Sequence, residues 1–281
     1  MTHHEQLAYL IRQLQQEMPV YQGYPVPEED AAAFNLFRGL CNVRPPARAP
    51  EGFLHVQDEL LQTMTAEKGI VDVRALQPTV ADNRLCIWQG DITRLRADAI
   101  VNAANSRMLG CFQPLHGCID NMIHTMAGVQ LRYRCDQIMR ERGREANTSE
   151  VIVTPGYNLP ARFVLHTVGP IVQSPAAPGS QSISVLTQED CAALAACYRN
   201  CLDAAARNGC STVAFCGIST GVFGFPKSEA ARIAVKTVRR WLDDQDSVPS
   251  ASSEQRHRVE RVIFDVWGDD DCELYRGLLG R

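Results

Sequence analysis

The sequence predicts an α/β layered domain preceded by a helical amino-terminal extension, and three observations carry that expectation. From about residue 80, short β-rich apolar runs alternate with amphipathic helical windows, the pattern of a layered α/β core. Before residue 80 only helical apolar spacing occurs. A chain of 281 residues, 45% of them hydrophobic, can bury one large core.

The elements follow in order. Leu7, Leu10, Ile11 and Leu14 form one helical stripe. Ala33, Phe34, Phe37, Leu40 and Cys41 form a second, behind a Pro-Glu-Glu-Asp start whose acidic residues suit a helix amino terminus. NVRPPARAPEG interrupts the pattern, and Phe53, Val56, Leu60 and Met64 make a third stripe. Strands are expected at LCIWQGDI, DAIVNAA, EVIVTP, FVLHTV, TVAFCG and RVIFDVW, with helices near 118–145, 189–208, 226–243 and 270–279. The polar inserts VQSPAAPGSQS and SVPSASSEQRH read as surface loops, and no internal repeat occurs. Two units are expected: a helical extension over 1–78 and a core over 79–281. The short stripes of the extension bury too little area to stand alone, so it should pack on the core.

Charge and composition exclude some classes. With 28 Lys+Arg against 32 Asp+Glu, a net charge of -4 and no basic run, general nucleic-acid binding is disfavoured. No stretch approaches the ~20 apolar residues that span a bilayer, and MTHHEQLAYLIRQLQQEMP lacks a signal-peptide core. A cytoplasmic monomer without membrane association is expected. The eleven cysteines should then be reduced thiols, with Cys41, Cys135, Cys191, Cys197 and Cys201 acting as small core hydrophobes.

Chemistry concentrates in a few segments. In GCFQPLHGC, Cys111, His116 and Cys118 offer two thiols and an imidazole, a donor set that suits Zn²⁺. Gly110, Pro114 and Gly117 bend the backbone enough to let them share an ion. By themselves the three residues read equally as an open metal site and as two packed cysteines with a surface histidine. Three ligands would leave a coordination position open, as catalysis needs. Upstream, DAIVNAAN ends in Asn102 and Asn105, amides at the carboxyl end of a strand, where open α/β sheets bind ligands. Asp120 falls in the first turn of the next helix, where an aspartate commonly compensates the dipole, and His124 lies four residues on. FCGISTGVFGFP is a glycine-rich strand-to-helix turn able to cradle an anion, without the GK[ST] of a P-loop. GDIT places Asp91 where a carboxylate could accept from an exocyclic amine.

Together GDIT, DAIVNAAN, CIDNMIH, LHTVGP, GISTGVFGFP and RVIFDVW, in this order, resemble the macrodomain family of ADP-ribose-binding modules. Cys-x4-His-x-Cys, standing where most macrodomains carry a run of glycines, resembles the zinc-dependent branch of that family, as does the extension segment RGLCNVRPPARAPEGFLHVQDELL. The resemblance implies a three-layer α-β-α macrodomain with a central mixed sheet, and protein ADP-ribosyl hydrolase activity. It implies one Zn²⁺ on Cys111, His116 and Cys118, and Asp91 and Ile92 at adenine with Trp267 over its face. It also implies Ser219, Thr220, Gly221, Val222 and Phe223 around the diphosphate, and Asn102, Asn105 and Asp120 near the distal ribose. Asn105 would position the sugar, and Asp120 would assist the water or the helix geometry. The substrate so implied is a protein carrying mono-ADP-ribose on Asp or Glu. Some members of that branch pair with a sirtuin-type ADP-ribosyltransferase and act on a lipoyl-carrier protein resembling the glycine-cleavage H protein. The other reading is a reader module that binds ADP-ribose without cleaving it; the metal triad discriminates between the two.

Overall fold

The structure, a computed structural model, describes residues 1–172, 186–247 and 258–280. Apart from their first residues, the two polar inserts lie outside the described residues. The extension forms α1 (His3–Glu17), α2 (Asp30–Val43) and α3 (Glu51–Glu67). β1 (Val71–Asp72) then pairs in parallel with β3 (Leu95–Arg96), a small seam that the sequence patterns did not show. The core follows as β2 (Leu85–Gln89), β4 (Ala99–Ala104), α4 (Ile119–Ala127), α5 (Val129–Arg142), β5 (Val151–Pro155) and β6 (Phe163–Val168). It ends with α6 (Gln188–Arg207), β7 (Thr212–Phe215), α7 (Lys227–Ser247), β8 (Arg261–Val266) and α8 (Asp269–Leu279).

All six expected core strands form, in the order β2-β8-β7-β4-β6-β5. The sheet is mixed, since β5 runs antiparallel to β6 while the other pairs are parallel. The two-residue period of a strand divides its side chains between two layers. Leu85, Ile87, Val213, Phe215, Val262 and Phe264 join the cluster under α6, α7 and α8. Cys86, Ala214, Ile263, Ile100 and Val164 join the opposite cluster, which also contains Leu7, Leu10, Ile11, Phe37, Phe53 and Leu60 of the extension. The extension thus shares one uninterrupted apolar cluster with the sheet and with Ile123, Met126 and Leu131 of α4 and α5.

The single helix expected near 118–145 is two helices. Gly128 breaks it at φ 95°, and a Cβ there would meet Gln57 Nε2 of α3 at 2.5 Å. Gln57 Oε1 accepts from Val129 N at 3.0 Å, starting α5 from a remote side chain. The second helix stops at Arg142 because Gly143 caps it in the left-handed region, φ 67°. Among the cysteines expected in the core, Cys135, Cys197 and Cys201 are buried, whereas Cys41 and Cys191 are only partly so. No helix among the described residues is long and apolar enough to cross a membrane.

Candidate metal and ligand site

The parallel strands deliver the expected site residues to one side of the sheet. Asp91 follows β2, Asn105 follows β4, the 217–224 turn follows β7 and Trp267 follows β8, all at carboxyl ends. Residues far apart in sequence therefore meet because four crossovers return the chain in the same direction.

Between β4 and α4, residues 110–118 are irregular, and Cys111, His116 and Cys118 bring their ligand atoms within 4.8 Å of one another. Cys111 Sγ lies 3.7 Å from His116 Nδ1. Cys118 is the N-cap of α4, its sulfur accepting from Asn121 N at 3.4 Å. The bend differs from the one expected. Gly110 is left-handed at φ 79° and packs on the His124 ring, but Leu115, at φ 56°, carries the second unusual conformation, and Gly117 does not. Leu115 can hold it because Asn42 Oδ1 of α2 accepts from its N–H at 3.0 Å. All three candidate ligands are partly exposed, so an ion on them would keep a face toward solvent.

Asp120 is buried, with its carboxylate fixed from two sides. Asn102 Nδ2 donates to Oδ1 at 2.8 Å and Asn105 Nδ2 to Oδ2 at 3.4 Å, while Asn105 also reaches Gly110 O at 3.2 Å. Burial pushes the Asp120 carboxyl up to about 6, held back by the Asn102 hydrogen bond and by Arg132. Asn102 itself is 0% exposed, so its amide stands behind Asp120 rather than facing a ligand. The hydrogen bond that a four-residue offset permits between Asp120 and His124 does not form. His124 Nε2 approaches Oδ1 only to 3.5 Å, and burial holds the imidazole well below its ordinary value, so this is no ion pair.

A second group, His124, Cys135 and His166, also gathers ligand atoms within 4.8 Å, wholly buried. It reads as a packed polar core. His166 Nδ1 can only accept from Asn102 Nδ2 at 3.1 Å, which leaves Nε2 to donate to Thr154 Oγ1 at 2.9 Å.

The remaining expected residues lie along the sheet end. Asp91 caps a short turn, accepting from Thr93 N at 3.0 Å and Thr93 Oγ1 at 2.6 Å, and Ile92 beside it is buried. Ser219 is buried at φ 64°, its hydroxyl without a partner among the described residues and pressed where a Gly169 Cβ would be. Thr220 Oγ1 donates to Gly217 O at 3.2 Å, Gly221 is open, and Phe223 O accepts from Val172 N at 2.9 Å. Val222 and Trp267 are 83% and 75% exposed, so Trp267 is no core aromatic.

Several participants escaped the sequence reading. Asn121, Arg38, Asn42 and Arg132 fix the 110–118 loop, and His166 fixes Asn102. None of them left a local trace, since the partners of their side chains lie on other elements or in the irregular loop. Asp265, at the end of β8, is buried with Oδ1 unpartnered among the described residues. Burial first, and then Asp91, pushes its carboxyl well above the ordinary 3.8. The folded chain therefore holds this proton where the unfolded chain releases it. The group's contribution to stability is complete below pH about 3.8 and shrinks as pH rises. Asp265→Asn should accordingly raise Tm at pH 8 and leave it unchanged near pH 4. Equal melting curves at pH 8 would reject this account.

Comparison with known proteins bears on the fold and the family. The Macro domain profile matches residues 101–234. A protein of Treponema medium named protein-ADP-ribose hydrolase is 43% identical over 281 residues, covering 99% of this chain and 100% of its own length. One of the same name from Staphylococcus aureus (strain MRSA252) is 42% identical over 275 residues, covering 98% and 95%. Among solved structures, a Trypanosoma brucei macrodomain in complex with ADP-ribose superposes with a TM-score of 0.61 at 28% identity, over 83% of this chain and 92% of that one. An Oceanobacillus iheyensis macrodomain with ADP gives 0.55 at 34% identity, over 70% and 90%. The three-layer fold with its mixed sheet is a macrodomain fold, and the chain belongs to the macrodomain family.

Proposed function

We propose that this protein is a zinc-dependent hydrolase that removes mono-ADP-ribose from carboxylate side chains of modified proteins. Kinship with full-length relatives named protein-ADP-ribose hydrolases supports removal of ADP-ribose. The observation that carries the zinc reading is the meeting of Cys111, His116 and Cys118 within 4.8 Å, beside Asn105 and Asp120. The donor set fits: with Zn–S distances of ~2.3 Å and a Zn–N distance of ~2.0 Å, two thiolates and an imidazole holding one Zn²⁺ would lie about 3.5–3.8 Å apart, and Cys111 Sγ and His116 Nδ1 are already 3.7 Å apart. When bound, zinc supplies Lewis acidity that orients a ribose hydroxyl and acidifies water. Burial pushes the free Cys118 thiol up to about 11, against the Asn121 N–H, so loading releases a proton and strengthens with pH.

The chain's own residues do the rest. Asp91 and Ile92, with Trp267, take the adenine end, and the 219–223 turn takes the diphosphate through backbone N–H groups. Asn105, tied to Gly110 O and Asp120, sets the distal ribose. Asn102 holds Asp120 Oδ1, and Oδ2, which Asn105 Nδ2 reaches only at 3.4 Å, keeps a lone pair to take the proton of the attacking water. As that water's oxygen bonds to the anomeric carbon, the carbon–oxygen bond to the acceptor breaks and its carboxylate leaves with the electron pair. Adenine, diphosphate and acceptor linkage are each read by a different strand end.

The partner class is a mono-ADP-ribosylated protein, with a lipoyl carrier resembling the glycine-cleavage H protein as the first to try. Pairing with a sirtuin-type transferase fits a Fusarium relative named as a probable bifunctional ADP-ribose hydrolase/ADP-ribosyltransferase, 40% identical over 266 residues that make up 42% of it. The test is zinc content of the purified protein together with hydrolysis of carboxylate-linked and arginine-linked ADP-ribose proteins. One zinc per chain and release from the carboxylate-linked substrate alone are expected. ADP-ribose binding without release from either substrate would make the protein a reader.

A further inference from the structure

We propose that α2 of the amino-terminal extension forms the second wall of the metal loop, and that Arg38 and Asn42 are positioning residues that hold Cys111, His116 and Cys118 in register for one ion. The two lie four apart and so share a helix face. Arg38 Nη2 donates to His116 O at 2.7 Å and to Asn121 Oδ1 at 2.8 Å, and its Nε reaches the same Oδ1 at 3.1 Å. Asn121 passes that hold on in two directions. Its Nδ2 donates to Gln113 O at 3.0 Å and its backbone N–H to Cys118 Sγ. The amide orientation is fixed, because a guanidinium only donates and a carbonyl only accepts.

Asn42 works on the preceding residue of the loop. Its Oδ1 takes the N–H of Leu115, the residue forced to φ 56°, while its Nδ2 donates to Thr125 Oγ1 of α4 at 3.3 Å. An exposed leucine has no reason to adopt the left-handed region unless something outside the loop requires it. At the carboxyl end of α2 the buried Arg132 spans the gap. It donates to Asn42 O at 2.7 Å and Arg44 O at 2.8 Å on one side, and to Leu109 O at 2.7 Å and Cys111 O at 3.3 Å on the other. The backbone around all three candidate ligands is thus tied to an element outside the 101–234 stretch that matches the Macro domain profile.

Two bonds from α2 reach the loop itself, at the carbonyl of one candidate ligand and at the N–H of the strained residue before it, and a third fixes the side chain of Asn121, whose backbone N–H caps the sulfur of another. Groups that orient metal ligands commonly change affinity 10–100-fold when removed. The metal half of this assignment rests on the zinc reading above; the loop half is a property of the metal-free chain.

The test uses the full chain with Arg38→Met, Arg38→Lys, Asn42→Ala and Asn42→Asp. Zinc affinity, read by competition with a chromophoric chelator, should fall about 10-fold or more in Arg38→Met and Arg38→Lys, since an ammonium cannot reproduce the fork. Hydrolysis should fall in kcat, with ADP-ribose affinity within about 2-fold, because its adenine and diphosphate sites lie on other strand ends. In metal-free protein, hydrogen exchange at 111–118 should speed about 10-fold in Arg38→Met and at Leu115 in Asn42→Ala, with Asn42→Asp restoring Leu115 and the sheet amides unchanged. Unaltered loop exchange in both Arg38→Met and Asn42→Ala, or acceleration shared by the sheet, overturns the assignment. If the wild-type protein takes up no zinc, the zinc reading fails and loop exchange alone decides the role of α2.

Discussion

Replacing Cys111 or His116 by alanine is expected to abolish stoichiometric zinc and to slow release of carboxylate-linked ADP-ribose by about two to three orders of magnitude. That range corresponds to the several kcal/mol that a Lewis acid supplies at a transition state, at 1.36 kcal/mol per factor of ten. ADP-ribose affinity should change by no more than about 2-fold, because the residues proposed for the adenine and diphosphate, Asp91, Trp267 and the 219–223 turn, stand on other strand ends. Cys191→Ala, on the partly exposed side of α6, is the matched control and should retain full activity. Zinc content by atomic absorption and single-turnover release from a modified protein read the two halves independently. Full turnover in metal-free Cys111→Ala would remove zinc from the chemistry and leave Asp120 and Asn105 to account for it.

The second large effect concerns the extension. A chain beginning near Thr79 should be insoluble or molten, with loss of cooperative melting. Leu7, Leu10, Ile11, Leu14, Phe37, Phe53, Leu60 and Leu61 are each at most 2% exposed, and each side chain so buried stabilises by ~1.5–3 kcal/mol. Their removal would bare Ile92, Ile123, Met126 and Leu131 on the other side of the same cluster. Arg132 would lose the carbonyls of Cys41, Asn42 and Arg44, three fixed acceptors that tie α5 to the extension, and would exchange them for water. Near-ultraviolet circular dichroism and calorimetry of the truncated chain check this. A soluble fragment with a sharp transition close to that of the full chain would show the core to be self-sufficient.

Much of this was legible in the residues. The six core strands could be located because each is a short β-rich run bounded by turn residues, and the strand alternation that sorts Cys86 from Leu85 and Ile87 is a local property. The Cys111, His116 and Cys118 cluster was visible because its three members fall within eight positions. What local pattern could not show was the break of α4 from α5. The helical periodicity continues through Gly128, and only Gln57, arriving from α3, makes that glycine's conformation necessary. Asn102 was legible as an amide at a strand end, but not as one turned inward, because its orientation depends on His166 across the β4–β6 register.

The sequence by itself determined the strands, the amphipathic faces, the thiol and imidazole donor set and the glycine-rich turn, all of which are set by residues adjacent in the chain. Only the tertiary structure decided that α2 closes over the 110–118 loop, that Leu115 rather than Gly117 carries the second left-handed turn, and that Asp120 is buried between two amides. These depend on partners up to 83 residues away, whose approach is fixed by the shared apolar cluster and the return of parallel strands, and no window of sequence contains both halves of such a contact.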